Sequence, residues 1–540
     1  MEQIYYHGRF HTLCGPDMEA IAVKDGKIAA LGSTKELLPL AGPHTLLVDL
    51  EGNSVLPGFI DSHCHLLATG QADEQLDLHG CRSVQEMIER GREFIRSRCL
   101  PAGAWVVGGG YDHNLFDPPI LPDGAVAQAI SSEHPVMFER VCGHVGAANP
   151  LALSLAGFGP ETEIEGGELD RDEAGCLTGV LREAALDRFK QFIPPPDQAM
   201  LTRALTAGIR TANQGGVTSV HSDDLVSVPM EAFLEAVKTL RDQGQFHIRV
   251  WEEVEAARLP LLEKLLDQGQ RTGDGDCWYR MGNLKLLLDG SLGARTAYLR
   301  RPYEDDPGNQ GIRVYEQQDL DQLVLLAHRS GLQVAFHAIG DGAVEQAVTA
   351  VERAQRICPK DLCHRIVHCQ IADRALFRRM AACGLGADIQ PAFTSSDWPL
   401  VRSRLGEQRE SGCYAWRSML DAGLIMGGGS DCPVEPFEPL WGMLCAVTRE
   451  DCQGQPQGGW QPAEKLTIGQ AVDLYTRSAA SLEFAQGQKG VLRAGALADF
   501  VVLSEDFLQE GLEEQAAVQR LRAAKVLRTV IGGETVYQRT

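Results

Sequence analysis

The chain has 540 residues, with 50 basic against 73 acidic side chains and a formal net charge of −23. A general nucleic-acid binder needs a basic face to displace counterions from phosphate, and an anionic bilayer repels such a chain, so both partners are disfavoured. Hydrophobic residues make up 44% and charged residues 23%, which excludes a disordered chain and permits a large buried core.

No apolar run approaches the roughly 18 residues of a spanning helix. The opening Met1-Glu2-Gln3-Ile4 lacks the basic and apolar regions of a secretory signal. The 15 cysteines form no Cys-x-x-Cys pair, and a reduced, cytoplasmic compartment fits them better than a disulfide framework does.

The first segment, up to Leu56, reads as short strands: Tyr5 to Phe10, Ala20 to Lys24 and Lys27 to Leu31, the last two joined by an Asp25-Gly26 hairpin signal. Short apolar runs then alternate with helical stretches, the pattern of βα units on a parallel sheet. Eight candidate strands follow: Val55 to Asp61, Val217 to His221, His247 to Glu252, Asn283 to Asp289, Gln333 to Ala338, Arg365 to Gln370, Gly386 to Gln390, and Leu424 to Gly428. Their lack of polar alternation suits strands covered on both faces, and closure into an α/β, (β/α)8 TIM-type barrel is the natural expectation. Residues 66–214 exceed any single crossover. They read as an inserted subdomain after barrel strand 1, about 73–205, containing Trp105 to Gly110, Pro135 to Cys142 and a loop near Glu161 to Gly175; a separate domain is the alternative. The tail returns to strands, Asp499 to Leu503 and Lys525 to Ile531, then Gly532-Gly533 and Glu534 to Tyr537. One small domain assembled from both ends, residues 1–56 and 485–540, is expected beside a barrel over 57–484.

The chemistry concentrates at strand ends. In Asp61-Ser62-His63-Cys64-His65, alternation turns His63 and His65 to one side, a half-site for zinc, and turns Cys64 away. His337 closes the fifth strand, His368 the sixth, and Asp431 follows the eighth. Barrel active sites gather residues from different strands at the C-terminal rim, so these groups should meet there. Taken singly, each His is more simply a satisfied core or loop residue; as a set they favour a metal. Lys285 shares a strand face with Asp289. Burial lowers a lysine's pKa, and the neutral amine can add CO2 to give an anionic carbamate; a plain Lys285–Asp289 ion pair is the alternative.

The set resembles the amidohydrolase superfamily, specifically the YtcJ-like subgroup that includes N-substituted formamide deformylases. The resemblance is carried by Leu56-Pro57-Gly58-Phe59-Ile60-Asp61-Ser62-His63-Cys64-His65, Cys142-Gly143-His144-Val145-Gly146, Asp289-Gly290-Ser291, Arg295-Thr296-Ala297, Phe336-His337-Ala338, Val367-His368-Cys369-Gln370, Gly429-Ser430-Asp431-Cys432-Pro433 and Ala498-Asp499-Phe500. It implies a barrel beside a small β-sandwich made from both termini. It implies His63 and His65 as ligands of the more buried metal, Lys285 as the carboxylated bridging lysine, His337 and His368 as ligands of the second metal, and Asp431 as a ligand and the catalytic proton carrier.

The expected activity is hydrolysis of a non-peptide C–N bond (amide, N-acyl or N-formyl) by metal-activated hydroxide. The cofactors implied are one or two Zn2+, with Fe, Mn or Co as alternatives, and a CO2-derived carbamate on Lys285. Candidate substrate contacts are His144, which could equally cap a loop, and Asp289 with Arg295, which could hold a substrate carboxylate or form a structural salt bridge. The rival readings are a non-hydrolytic isomerase or decarboxylase on the same barrel and a metal-free binding scaffold. The expected partner is a small molecule, with a homodimer suggested by the prevalence of two-fold pairs.

Overall fold

The structure, a computed structural model, describes residues 1–141, 144–164, 166–225 and 228–540. The Cys142-Gly143 half of one motif therefore lies outside the described residues, as does Glu165 of the expected acidic loop. The chain divides into two compact units, Met1–Ala68 with Gly208–Thr540, and Thr69–Ala207.

The first unit contains a parallel eight-stranded sheet: β1 (Phe59–Cys64), β2 (Val217–Ser222), β3 (Arg249–Glu255), β4 (Tyr279–Leu287), β5 (Gln333–Ala338), β6 (Arg365–His368), β7 (Gly386–Ile389) and β8 (Met426–Gly428), hydrogen-bonded in that order. Seven of these strands carry no exposed residue, and β4 only its last, Leu287. Helices cover the outer face, so both sides of each strand must be apolar or internally bonded. The sheet closes where the loop after β8 meets β1: Asp431 N donates to His63 O at 2.8 Å, and Ser430 N donates to the buried Asp61 carboxylate at 3.0 Å. Close approach there requires Gly427, since a Cβ at this position would sit 2.5 Å from the Ser62 Cβ.

The expected first strand, Val55 to Asp61, is in fact two. Ser54–Pro57 belongs to a different sheet, and the barrel strand begins at Phe59, with Gly58 between them. An apolar run gives no sign of where its backbone changes partners. Tyr5 to Phe10 breaks for the same reason, into Gln3–Tyr6 and Arg9–Phe10, around His7 at φ 54°.

The chain ends form two further sheets. One orders Lys27–Gly32, Ala20–Lys24, Gln3–Tyr6 and Leu46–Asp49; the other orders Arg9–Phe10, Ser54–Pro57, Phe500–Leu503, Val526–Ile531 and Glu534–Gln538. Side chains from both, including Tyr5, Ile21 and Val23 with Phe500, Val502 and Val530, share one hydrophobic cluster. Asp25 and Gly26, at φ 52° and 69°, make the turn that their sequence indicates. Arg249 of β3 reaches Asp499 beside this cluster with Nε–Oδ2 at 2.6 Å and Nη2–Oδ1 at 2.8 Å, both side chains buried.

The second unit is built on a mixed sheet ordered Gly167–Arg171, Leu177–Glu183, Val145–Ala148, Val136–Arg140, Val106–Tyr111 and Leu76–Asp77. The helix Val84–Ser97, capped by Ser83, contributes Met87 to a core with Val106, Tyr111 and Phe138. No described helix in either unit is long and apolar enough to cross a membrane.

Candidate metal centre

His63 and His65 leave the end of β1 toward Asp431, which the loop after β8 delivers. One ligand atom from each of the three lies within 4.8 Å of the others. His65 Nε2 is 3.2 Å and His63 Nε2 is 3.6 Å from Asp431 Oδ1. His368, ending β6, stands with its ring centroid 5.6 Å from that of His63 and 4.7 Å from that of His337 on β5. Cys64 points away, its Sγ 3.7 Å from His221 O, and burial pushes its thiol well above the usual range.

Three of the four imidazoles are anchored through Nδ1. His65 Nδ1 lies 2.8 Å from Asp223 O, His368 Nδ1 2.7 Å from Gln390 Oε1, and His337 Nδ1 3.1 Å from Asp289 Oδ1. Each partner is an oxygen acceptor, so Nδ1 carries the hydrogen and, in the neutral ring, Nε2 keeps the lone pair. This is the outer support that metal-ligating histidines use. His63, only 1% exposed, turns its Nδ1 to Glu253 Oε2 at 3.5 Å, a contact too long for a normal hydrogen bond. Two imidazoles and a carboxylate at such spacing fit a divalent cation of the zinc type.

Charge within the cluster is set by its own members. Burial alone would raise Asp431, but the His65 hydrogen bond and the surrounding imidazoles hold it well below the usual carboxylate range. Burial would lower His65, but Asp431 outweighs it and brings it up to about 9. Burial and the neighbouring His337 push His368 far down, so it stays a neutral donor.

Lys285 does reach this cluster, its Nζ 3.4 Å from His63 Nε2, but in a setting the sequence reading did not anticipate. Its carboxylate partners are Glu253, at 3.0 Å, and Asp223, at 3.4 Å. Burial by itself would lower its pKa as expected; Glu253 and Asp223 reverse that and hold Lys285 above the ordinary lysine value. The alternative, a Lys285–Asp289 ion pair, does not form. β4 ends at Leu287, and Asp289 turns to His337 and to the amides of Tyr298, Ile339 and Gly340. Asp289 thus orients His337. Arg295 forms the structural salt bridge that was one of its two expected roles, its Nε and Nη2 bonding Asp305 at 3.0 and 2.9 Å. His144 belongs to the second unit, is exposed, and pairs with Glu183 at 3.0 Å.

Asp223, Glu253 and Gln390 were missed in the sequence. The usable signal was present in Trp251-Glu252-Glu253-Val254 and His221-Ser222-Asp223-Asp224. Charge inside an apolar strand demands a partner, the logic already applied to Lys285. Beneath them, the fully buried Arg365 bonds His221 at 2.7 Å and Asn283 at 2.9 Å, and Asn283 bonds Glu253 at 2.8 Å. The base of the site is therefore a polar layer held by paired groups.

A cavity of about 340 Å³ opens beside His337, His368 and Asp431. Comparison with known proteins agrees with this geometry. Residues 46–537 match the Amidohydrolase family. A Bacillus subtilis (strain 168) protein that carries the amidohydrolase name YtcJ is 34% identical over the full length of both chains. An N-substituted formamide deformylase from Arthrobacter pascens is 28% identical, covering 97% of this chain and 95% of that one. The crystal structure of an uncharacterized metal-dependent hydrolase from Pyrococcus furiosus has a TM-score of 0.78 at 27% identity, covering 94% of this chain and all of the other. This chain belongs to the Amidohydrolase family.

Proposed function

We propose that this hydrolase is metal-dependent and cleaves a non-peptide carbon–nitrogen bond of an amide, N-acyl or N-formyl compound. The observation that carries the reading is the His63, His65 and Asp431 triad, with ligand atoms within 4.8 Å of one another. The Nδ1-anchored His337 and His368 stand beside it on neighbouring strands. His63, His65 and Asp431 would hold one cation, and His337 with His368 would hold another. Bound there, divalent metal supplies Lewis acidity toward both water and a carbonyl oxygen.

The chain's own groups do the rest. Asp431 is kept ionised and borders the cavity, so it can take the proton of the attacking water and return it to the departing amine nitrogen. Transfers of this kind contribute about 10²–10⁴-fold. His368 and His337 stay oriented because Gln390 and Asp289 fix their rings. Lys285 Nζ stands 3.4 Å from His63 Nε2, so its ammonium would be repelled by a cation held on that nitrogen and would give way to the neutral amine, the form that takes up CO2.

Elemental analysis of the purified protein, followed by a hydrolysis screen over N-formyl, N-acyl and cyclic amides, tests the proposal. The expected result is one or two divalent ions per chain and amide hydrolysis abolished by chelation. Hydrolysis that survives complete metal removal would overturn it. For Lys285, a carbamate carbon signal under 13C-bicarbonate is expected in the metal-loaded protein and should vanish in Lys285→Ala.

A further inference from the structure

The cavity beside His337 and His368 carries groups that the metal cluster does not use. Two carboxylates besides Asp431 line it: Asp397, from the helix Phe393–Leu405 that follows β7, and Glu435, from the loop after β8. No lysine or arginine is among its lining residues. Asp397 accepts from the Tyr414 hydroxyl, and Glu435 Oε1 accepts from Ser396 Oγ at 3.1 Å. No cation contributes to the setting of either carboxyl; burial raises both, and Asp397 raises Glu435 further.

A second observation points the same way. Gln370, two residues beyond His368, also lines the cavity and is 4% exposed, yet its Oε1 receives no hydrogen bond. A buried acceptor without a donor is costly, as is a half-buried carboxylate without a counter-charge. The polar wall thus presents oxygen acceptors in excess, and a ligand completes it only by bringing N–H donors and positive charge. Leu292, Ile339 and Phe393 add apolar lining for a short carbon stem. Arg295, the group suited to an anionic substrate, is committed to Asp305.

We infer that this recess receives the cationic end of the substrate. The substrate is then an amide carrying a second, protonated nitrogen, alkylammonium or guanidinium in type, rather than an N-acyl amino acid with a free carboxylate. The inference rests on the hydrolase reading above and adds the charge class of the substrate. Charge-assisted N–H···O⁻ bonds from such a group to Asp397 and Glu435 are the strong kind.

The test has two arms on the metal-loaded protein. In the first, kcat/KM is compared for N-acetyl-1,4-diaminobutane, N-pentylacetamide and N-acetyl-4-aminobutanoate, which match in length and differ in charge. The expected order is cation, then neutral, then anion, with at least about a tenfold step between the first two. In Asp397→Asn and Glu435→Gln the cation-to-neutral ratio should fall toward one. Neutral or anionic amides turned over as well as the cation would overturn the inference while leaving the hydrolase reading intact.

In the second arm, calorimetry compares binding of n-pentylammonium with 1-pentanol. The ammonium is expected to bind at least about tenfold more tightly, with the advantage lost in both variants. Equal affinities, or no binding of the ammonium, would overturn the inference even if no amide were hydrolysed. Tight ammonium binding without any amide hydrolysis would support the recess and count against the hydrolase reading alone.

Discussion

Replacing Asp289 by Asn changes one atom and should disable a histidine. Four N–H donors converge on this carboxylate: His337 Nδ1 and Ile339 N reach Oδ1, each at 3.1 Å, while Tyr298 N at 3.0 Å and Gly340 N at 2.8 Å reach Oδ2. An asparagine offers one acceptor oxygen: placed at Oδ1 it abandons Tyr298 N and Gly340 N, and placed at Oδ2 it abandons His337 Nδ1, since Ile339 N also reaches Oδ2 at 3.3 Å. A buried donor left unsatisfied costs about 1–3 kcal/mol, giving roughly 1–6 kcal/mol before relaxation, according to the orientation. If the amide NH2 faces His337, it donates to Nδ1 and drives the ring proton to Nε2, the atom needed for a metal. Loss of such an outer partner lowers metal affinity about 10–100-fold. Urea melts of the metal-free variant measure the first term, and competition with a chromophoric chelator measures the second. Asp289→Asn with unchanged stability and unchanged metal affinity would refute the reasoning.

Further expectations follow from the same geometry. Asp431→Asn should cut turnover by at least about 10² while the imidazoles retain metal, measured as kcat alongside metal content; wild-type turnover would remove Asp431 from proton transfer. Asp499→Asn strands the buried Arg249, which also donates to Cys277 O at 2.8 Å, and should cost about 3–5 kcal/mol in denaturant melts; a loss below about 1 kcal/mol would contradict the pairing's weight. His364, packed with its Nε2 2.8 Å from His328 Nδ1, is pushed down to about 3 by burial and then by His328. The unfolded chain therefore binds this proton more readily. The stability His364 contributes is complete above about 6.5 and is lost as pH falls from there toward 3. The loss is about 1.4 kcal/mol between pH 7.5 and pH 5.5. Urea melts at the two values should show a shallower loss in His364→Asn, and identical slopes would exclude the effect.

The sequence was most informative where chemistry is local. His63 and His65 share a strand face because side chains alternate, and Asp25-Gly26 turns because its backbone tolerates positive φ. The apolar, non-alternating runs around Val217, Gln333 and Arg365 announced strands covered on both faces, and strand-end histidines announced a rim. None of these inferences needs to know what lies across the barrel.

Tertiary structure alone decided the pairings. Lys285 and Asp289 are neighbours by strand spacing, yet the strand ends between them. The ammonium meets Glu253 of β3 and Asp223 just past the end of β2, while Asp289 is drawn to His337 and three backbone amides. Arg295 could hold an anion or an acid by its sequence, and a residue ten positions on, Asp305, bonds its Nε and Nη2. The split at Gly58 was hidden for a similar reason, since one apolar run can serve two sheets. Periodicity reports which face of an element is buried. A buried charge is satisfied by whichever opposite group the closed fold brings within about 4 Å, and strand periodicity does not name that group.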